Sequence, residues 1–215
     1  MISVFAATAA FGAMMVVVAL ILISRMRFSS LIAMFRLLSL LLAGFAFMLG
    51  WMEGERPLFA VGALVLIVKV LLIPEFLTRI AKKYNINLRL QSYVRPTTAT
   101  FGGLAIVALS FLAAWRFIQE PSDVVALGAS LSLVMLGMLL LLTRTDMFGQ
   151  AVGFLVTENG IFLLGLAMTG GMPFFVEIGI LFDLCVFVTL IILLVLRAQA
   201  EQGSLATEYL RELVD

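Results

Sequence analysis

The sequence contains no histidine and only one cysteine, Cys185, among its 215 residues. Zinc and haem are usually held by His or Cys, and iron–sulfur clusters by several Cys. We therefore expect the chain to bind no metal or other cofactor through ligands of its own. The same absence excludes a Ser/His/Asp triad and a Cys/His nucleophile. Because Cys185 lies within an apolar run, we expect it to be a small buried hydrophobic residue.

Charged residues are also scarce, at 13% of the chain, which is about half the usual share. The formal net charge of +1 argues against a nucleic-acid partner. Apolar residues make up 63% of the chain, and the mean hydropathy is +1.18. Since a soluble domain is about 45–50% apolar, this composition indicates a protein whose solvent is lipid.

Several apolar runs are long enough to cross a bilayer, which takes about 20 residues each. The first run has no basic segment before it and is too long for a signal peptide, so we interpret it as a retained span. The predicted fold class is an all-α polytopic membrane helix bundle with seven transmembrane helices. They form one transmembrane domain, 1–197, followed by a short tail, 198–215. The predicted spans are 3–24, 29–51, 57–79, 98–118, 124–143, 148–169 and 173–197.

Lysine and arginine are distributed asymmetrically between the two sides of these spans. If the N-terminus lies outside, the outer side holds only Arg56 and Arg116. Cytoplasmic loops carry the excess of basic residues in membrane proteins, so we predict an outer N-terminus and a cytoplasmic C-terminus. Trp51 and Trp115 then fall at the outer interface, as in an aromatic belt. The inner side holds Arg25, Arg27, Arg79, Lys82, Lys83, Arg89, Arg95, Arg144, Arg197 and Arg211.

Spans 1–3 and spans 5–7 share a layout that predicts an internal repeat, with copies at 1–80 and 124–197. Spans 1 and 5 both start outside, so the repeat would be parallel rather than inverted. In each copy the second and third spans carry ionisable residues well inside the apolar run. These are Arg36 and Lys69 in the first copy, and Glu158, Glu177 and Asp183 in the second.

These five ionisable residues are the main functional signal in the sequence. A charged side chain at the centre of a membrane helix costs about 2.5–3.5 kcal/mol on insertion scales, so its presence needs a reason. One explanation is structural ion pairing within the bundle. The other is proton transfer, which we predict for Arg36, Lys69, Glu158, Glu177 and Asp183.

Glu158 is the strongest candidate, because it lies ten residues into its span, near the membrane midplane. Its neighbours Thr157 and Asn159 can hydrogen-bond a carboxyl and hold water. A carboxyl in a dry site can change its charge near neutral pH, as a proton relay requires. Lys69 lies at a similar depth, five residues before Pro74, which removes a helix hydrogen bond and loosens that turn. A kink used only for packing is the alternative explanation for Pro74.

Three segments resemble the hydrogenase-4 component E family in order and spacing. They are Val-Lys-Val-Leu-Leu-Ile-Pro at 68–74, Thr-Glu-Asn-Gly at 157–160, and Phe-Val-Glu-Ile-Gly at 175–179 with Asp183 following. Members of that family are membrane subunits of formate-hydrogenlyase-like and related energy-converting complexes. Their three C-terminal helices are similar to the K subunit of respiratory Complex I and to a small subunit of Mrp-type antiporters.

The resemblance implies that Glu158 and Glu177 correspond to the two proton-transferring glutamates of the K subunit. They are closer in sequence than in the K subunit, so Asp183 is an alternative to Glu177. It also implies a bacterial or archaeal inner membrane, with lipids and with antiporter-like and quinone- or hydrogenase-module subunits as partners. Iron–sulfur or nickel–iron centres would belong to those partners. The expected function is a proton-conducting subunit; the alternatives are a passive scaffold and a subunit of a cation/proton antiporter.

Overall fold

The computed structural model describes residues 2–83, 91–118 and 120–169. The chain divides into two compact units, Met1–Ile180 and Leu181–Asp215, and all of the described residues belong to the first. The predicted seventh span and the tail lie outside the described residues, together with Glu177, Asp183 and Cys185.

The described residues form an all-α membrane bundle, which confirms the predicted fold class. Six stretches are long and apolar enough to cross a membrane, and they coincide with the first six predicted spans. The third of them, Arg56–Lys82, is a single span that changes helix type twice. The elements are α1 (Ile2–Ile23), α2 (Phe28–Glu53), α3 (Arg56–Val65), a π-helix (Leu66–Leu72), α4 (Ile73–Lys83), α5 (Pro96–Phe117), α6 (Pro121–Thr143) and α7 (Met147–Thr169).

Proline and glycine set several of the helix ends. Pro57, Pro96 and Pro121 lie in the first turns of α3, α5 and α6, where a missing N–H costs little. Gly54 follows α2 with φ of 72°, in the left-handed region that favours glycine. The sharp turn at Gly54 lets α3 start almost directly after α2.

Helices α6 and α7 pack closely through glycines. A Cβ on Gly153 would lie 2.7 Å from the backbone nitrogen of Leu141, and one on Gly160 would lie 2.7 Å from that of Val134. Only hydrogen fits at these positions, so the two backbones approach as closely as small residues allow. Gly153 and Gly160 are seven residues apart and therefore lie on the same face of α7.

Helix α6 lies at the centre of the described bundle, against α1, α5 and α7, whereas α2 packs against α1, α3, the π-helix and α7. Only 22% of α5 is buried, compared with 61% of α7, so α5 is peripheral. The counterparts α1 and α6 in the predicted repeat pack against each other, and so do α2 and α7. The third pair of counterparts includes the predicted span 173–197, which lies outside the described residues, so the repeat stays a prediction.

One end of the bundle is tied together by Arg144, which is only 2% exposed. Its guanidinium donates to the carbonyl oxygens of Ile23, at 3.0 Å, and Arg25, at 2.5 Å. These carbonyls lie at the end of α1 and two residues beyond it, where intrahelical hydrogen-bond partners run out. Burial lowers the pKa of Arg144, and the charge of Asp146 partly opposes that shift.

The connections that meet at this end carry many of the basic residues of the described chain, and we call it the basic end. It contains the α1–α2 connection, the residues before α5, the α6–α7 connection and the end of α4, whose Ala81 and Lys82 line a cleft together with the start of α2. Backbone bonds from Tyr93 to Thr143 and from Thr145 to Gln91 join the residues before α5 to the α6–α7 connection. Trp51 and Trp115 are 81% and 77% exposed at the opposite end, as expected for an aromatic belt.

Candidate functional site

The structure brings together two of the predicted ionisable residues, Lys69 and Glu158. The Lys69 Nζ atom lies 3.5 Å from Glu158 Oε2, and the two side chains are 0% and 3% exposed. This distance is longer than the 2.7–2.9 Å of a charge-assisted hydrogen bond. The pair is therefore an ion pair in the core of the bundle whose geometry leaves room for rearrangement.

Asn159 orients the lysine. Lys69 Nζ donates to Asn159 Oδ1 at 3.1 Å, and Asn159 Nδ2 donates to the hydroxyl of Ser39 at 3.2 Å. The direction of the amide follows from chemistry, because an ammonium group can only donate and must face the amide oxygen. Ser39 and Asn159 are both fully buried. A connected polar network thus joins α2, the π-helix and α7 inside an otherwise apolar core.

The lysine projects from an irregular stretch of its span. Lys69 is the middle residue of the π-helix Leu66–Leu72, and the N–H of Ile73 bonds to the carbonyl of Val68, five residues back. Pro74 follows and has no N–H with which to extend that pattern. Such single π segments occur frequently at functional sites. The ammonium also lies 5.2 Å from the centroid of the Phe162 ring, close enough for a cation–π interaction.

Thr157 supports the site through packing. Its hydroxyl donates to the Gly153 carbonyl at 3.1 Å and lies 3.5 Å from the carbonyl of Val134 on α6. The close α6–α7 contact fixes the rotation of α7, so that Glu158 and Asn159 point away from α6. The predicted supporting residues therefore act differently: Asn159 holds the lysine, and Thr157 anchors the helix that carries the carboxylate.

Arg36 lies in a second charged cluster, nearer the basic end. Its guanidinium is 4.0 Å from Glu75 Oε2, and Glu75 also accepts a hydrogen bond of 2.9 Å from Arg79. The Arg36 and Glu75 side chains are 44% and 53% exposed. They line a cleft of about 370 Å³ between α2 and α4. The two clusters share the same helices, because Ser39 lies one turn beyond Arg36 in α2.

Three residues that make important contacts in the structure are not among the site residues predicted from the sequence. Ser39 is marked in the sequence only by its position one turn after Arg36. Phe162 is one of 18 phenylalanines, and nothing distinguishes it from its apolar neighbours. Arg144 is predicted only as one of the inner basic residues, although it is buried and structural. Glu177 and Asp183 lie outside the described residues, and their predicted roles stay predictions.

Chemically, the site places an ammonium group beside a carboxylate in the core of the bundle, so that their opposite charges compensate each other. Ionisable groups within a membrane pair in this way or mark a proton pathway.

Comparison with known proteins gives two relatives over most of the chain. The uncharacterized protein Rv0085 of Mycobacterium tuberculosis is 31% identical over 180 residues, which cover 81% of this chain and 80% of that protein. Hydrogenase-4 component E of Escherichia coli K12 is 27% identical over 176 residues, 78% of each chain. No family model and no solved structure matches. The chain therefore belongs to the same family as Rv0085, with hydrogenase-4 component E as a more distant relative.

Proposed function

We propose that this chain is a proton-conducting membrane subunit of a multi-subunit, energy-converting redox complex of the hydrogenase type or a Complex-I-like type. The observation that carries the proposal is the buried Lys69–Glu158 pair, which Asn159 and Ser39 hold in a polar network. The name of the distant relative, hydrogenase-4 component E, supports the class of complex.

In this proposal the chain carries no redox chemistry of its own. Iron–sulfur or nickel–iron centres belong to partner subunits, which include antiporter-like and quinone- or hydrogenase-module subunits. Electron transfer in the partner subunits changes the electric field at the Lys69–Glu158 pair. The proton then moves between the two side chains, and we propose Glu177 and Asp183 as further proton-transfer residues of the chain.

The test is Glu158→Gln, which keeps the size and hydrogen bonding of the side chain but removes its ionisation. We expect the complex to assemble and its electron-transfer activity to persist, while proton uptake into vesicles falls at least about tenfold, a conservative share of what a positioned proton-transfer group contributes. Glu53→Gln is the matched control, because Glu53 is an exposed carboxyl at the end of the bundle that lies opposite the basic end.

A passive scaffold is the second candidate, and the burial of the ion pair is the observation that favours it. In some proteins a buried ion pair has a purely structural role and joins neighbouring helices. In that case Glu158→Gln leaves proton uptake unchanged in an intact complex, as judged on a native gel. Such a result would remove the proton-conducting role and leave the scaffold.

A further inference from the structure

The cleft between α2 and α4 contains charged side chains at a depth where lipid cannot solvate them. Arg36 lies eight residues into α2 and Glu75 eight residues before the end of α4, which places each about 12 Å along its helix from the basic end. Half of a bilayer's hydrocarbon core is about 15 Å thick. Both side chains are nevertheless about half exposed.

Exposed charges at this depth need a polar surrounding. Charged side chains within membrane spans almost always face the bundle interior or a water-filled cavity. A carboxylate as short as that of Glu75 cannot reach the headgroups from this position. The cleft is large enough for several water molecules, since each occupies about 30 Å³ in the liquid, and its volume is about 370 Å³.

The deepest charged residues of the cleft lie close to the buried network along their helices. Ser39, the last member of the Lys69 network, lies three residues beyond Arg36 on the same helix, which is about 4.5 Å along the axis. Lys69 lies six residues beyond Glu75, or about 9 Å. Along the helix axes, the charged cluster and the network are therefore separated by a length that a short chain of water molecules can span.

We infer that the α2–α4 cleft is a water-filled inlet through which protons reach the Lys69–Glu158 pair from the basic end, with Arg36 and Glu75 on its walls and Ser39 at its inner limit. The ligand of this inlet is water and its excess proton. The role of the inlet in proton transfer rests on the proposed function. The presence of water in the inlet is a separate physical property that can be measured independently.

Hydration is tested by thiol modification, for which the chain is well suited because it has one native cysteine. In a Cys185→Ala background, Ala33→Cys places a thiol in the cleft. Leu37→Cys places one a turn further along α2, 39% exposed but outside the cleft lining. Thr145→Cys marks the basic end. The probe is the anionic, membrane-impermeant (2-sulfonatoethyl) methanethiosulfonate, applied to each face of membrane vesicles.

We expect modification of Ala33→Cys from the face that also modifies Thr145→Cys, at least about tenfold faster than that of Leu37→Cys, since only the thiolate reacts and it forms in water. Equally slow reaction at positions 33 and 37 would overturn the inlet. Modification of Ala33→Cys from the opposite face would overturn its direction. Rapid modification only after lipid removal would assign the cleft to lipid and also overturn the inference.

Two further measurements separate the inlet from the proposed function. Adding Glu158→Gln should leave the modification rate of Ala33→Cys unchanged, because the water is present whether or not the relay works. In the functional complex, modified Ala33→Cys should lose most of its proton uptake, whereas Leu37→Cys treated in the same way should keep it. If Glu158→Gln blocks proton uptake and modified Ala33→Cys does not, the proposed function survives and the inlet is wrong.

Discussion

The Lys69 and Glu158 side chains are both buried, and their opposite charges lie side by side. Removing one member of a buried ion pair is more damaging than replacing both, because the remaining charge is left in a dry site. The Arg36–Glu75 pair offers a comparison within the same chain, since its members are 4.0 Å apart and about half exposed. Exposed pairs of that kind contribute little to stability, because solvent screens their charges.

The first prediction concerns the coupling within the buried pair. We expect Lys69→Ala to lower the stability of the detergent-purified chain, and Glu158→Gln added to it to recover part of the loss. The double-mutant cycle should give a coupling of about 1–3 kcal/mol, as for other contacting residues. The corresponding cycle on Arg36 and Glu75 should give a smaller coupling, because water screens an exposed pair. Thermal unfolding measures both, and additive effects at Lys69 and Glu158 would contradict the pairing.

A second prediction concerns Arg144. Arg144→Met preserves the length of the side chain but leaves the Ile23 and Arg25 carbonyls without their charged donor. Hydrogen bonds to charged groups contribute about 1.5–3 kcal/mol, so we expect a loss of about 2 kcal/mol or more in thermal unfolding. Arg27→Met, an exposed residue at the same end, should change stability little. Equal stability of the two variants would show that the guanidinium does not tie the helix ends together.

A functional residue can be predicted from the sequence when its chemistry or its depth within a span distinguishes it from its neighbours. Depth counting places both Lys69 and Glu158 near the midplane, and that is a physical requirement for their contact. It does not reveal that they face each other, because the rotation of α7 is set by glycines that press against α6. Ser39 escapes prediction since serine is common in membrane helices, and its role depends on where Asn159 points.

At the level of elements, α6 and α7 lie close together because glycine has no side chain. Gly137, Gly153 and Gly160 each lie where a Cβ would collide with backbone atoms of the facing helix. The pattern of small residues predicts this packing, because close approach in membranes depends on them. The π-helix is less predictable: Pro74 indicates a loosened turn, but the type of turn depends on the packing of Lys69 into the core.

A third prediction tests that packing. Gly153→Ala introduces a methyl group 2.7 Å from the Leu141 nitrogen and 3.0 Å from the Gly137 oxygen. We expect a loss of stability of about 1–3 kcal/mol, as for other overpacked sites. Gly102→Ala is the control, since nothing lies within 4 Å of its Cβ. It should be neutral, or stabilising by up to about 1 kcal/mol through helix propensity. Thermal unfolding that ranks the two variants equally would contradict the close approach.

At the level of the whole molecule, the described helices place the basic connections at one end and the exposed tryptophans at the other. This polarity follows from the sequence alone, because the distribution of basic residues is a property of the loops rather than of the packing. The positive-inside rule then assigns the basic end to the cytoplasm. Which side each end occupies stays a prediction.

The fourth prediction is therefore one of orientation. A fluorescent reporter that matures only in the cytoplasm, fused after Asp215, should be active. A periplasmic alkaline phosphatase fused at the same position should be inactive. A fusion after Gly54, in the α2–α3 connection, should give the opposite pair of results. A fluorescent, phosphatase-negative fusion after Gly54 would place the basic end outside and reverse the direction from which the α2–α4 cleft is filled.

The position of Lys69 also has a consequence for how the protein is made. Its hydrogen-bond partner Asn159 is 90 residues later in the chain, and a ribosome takes on the order of 5 to 20 s to add that many residues. During this interval the third span has already left the ribosome with a lysine at its centre, while the helix that neutralises it does not yet exist. A lysine at the centre of a span costs about 2.5–3.5 kcal/mol on insertion scales. We therefore expect this span to be less stable in lipid than its neighbours until α7 is made, and to reach its final stability only after synthesis has passed Asn159.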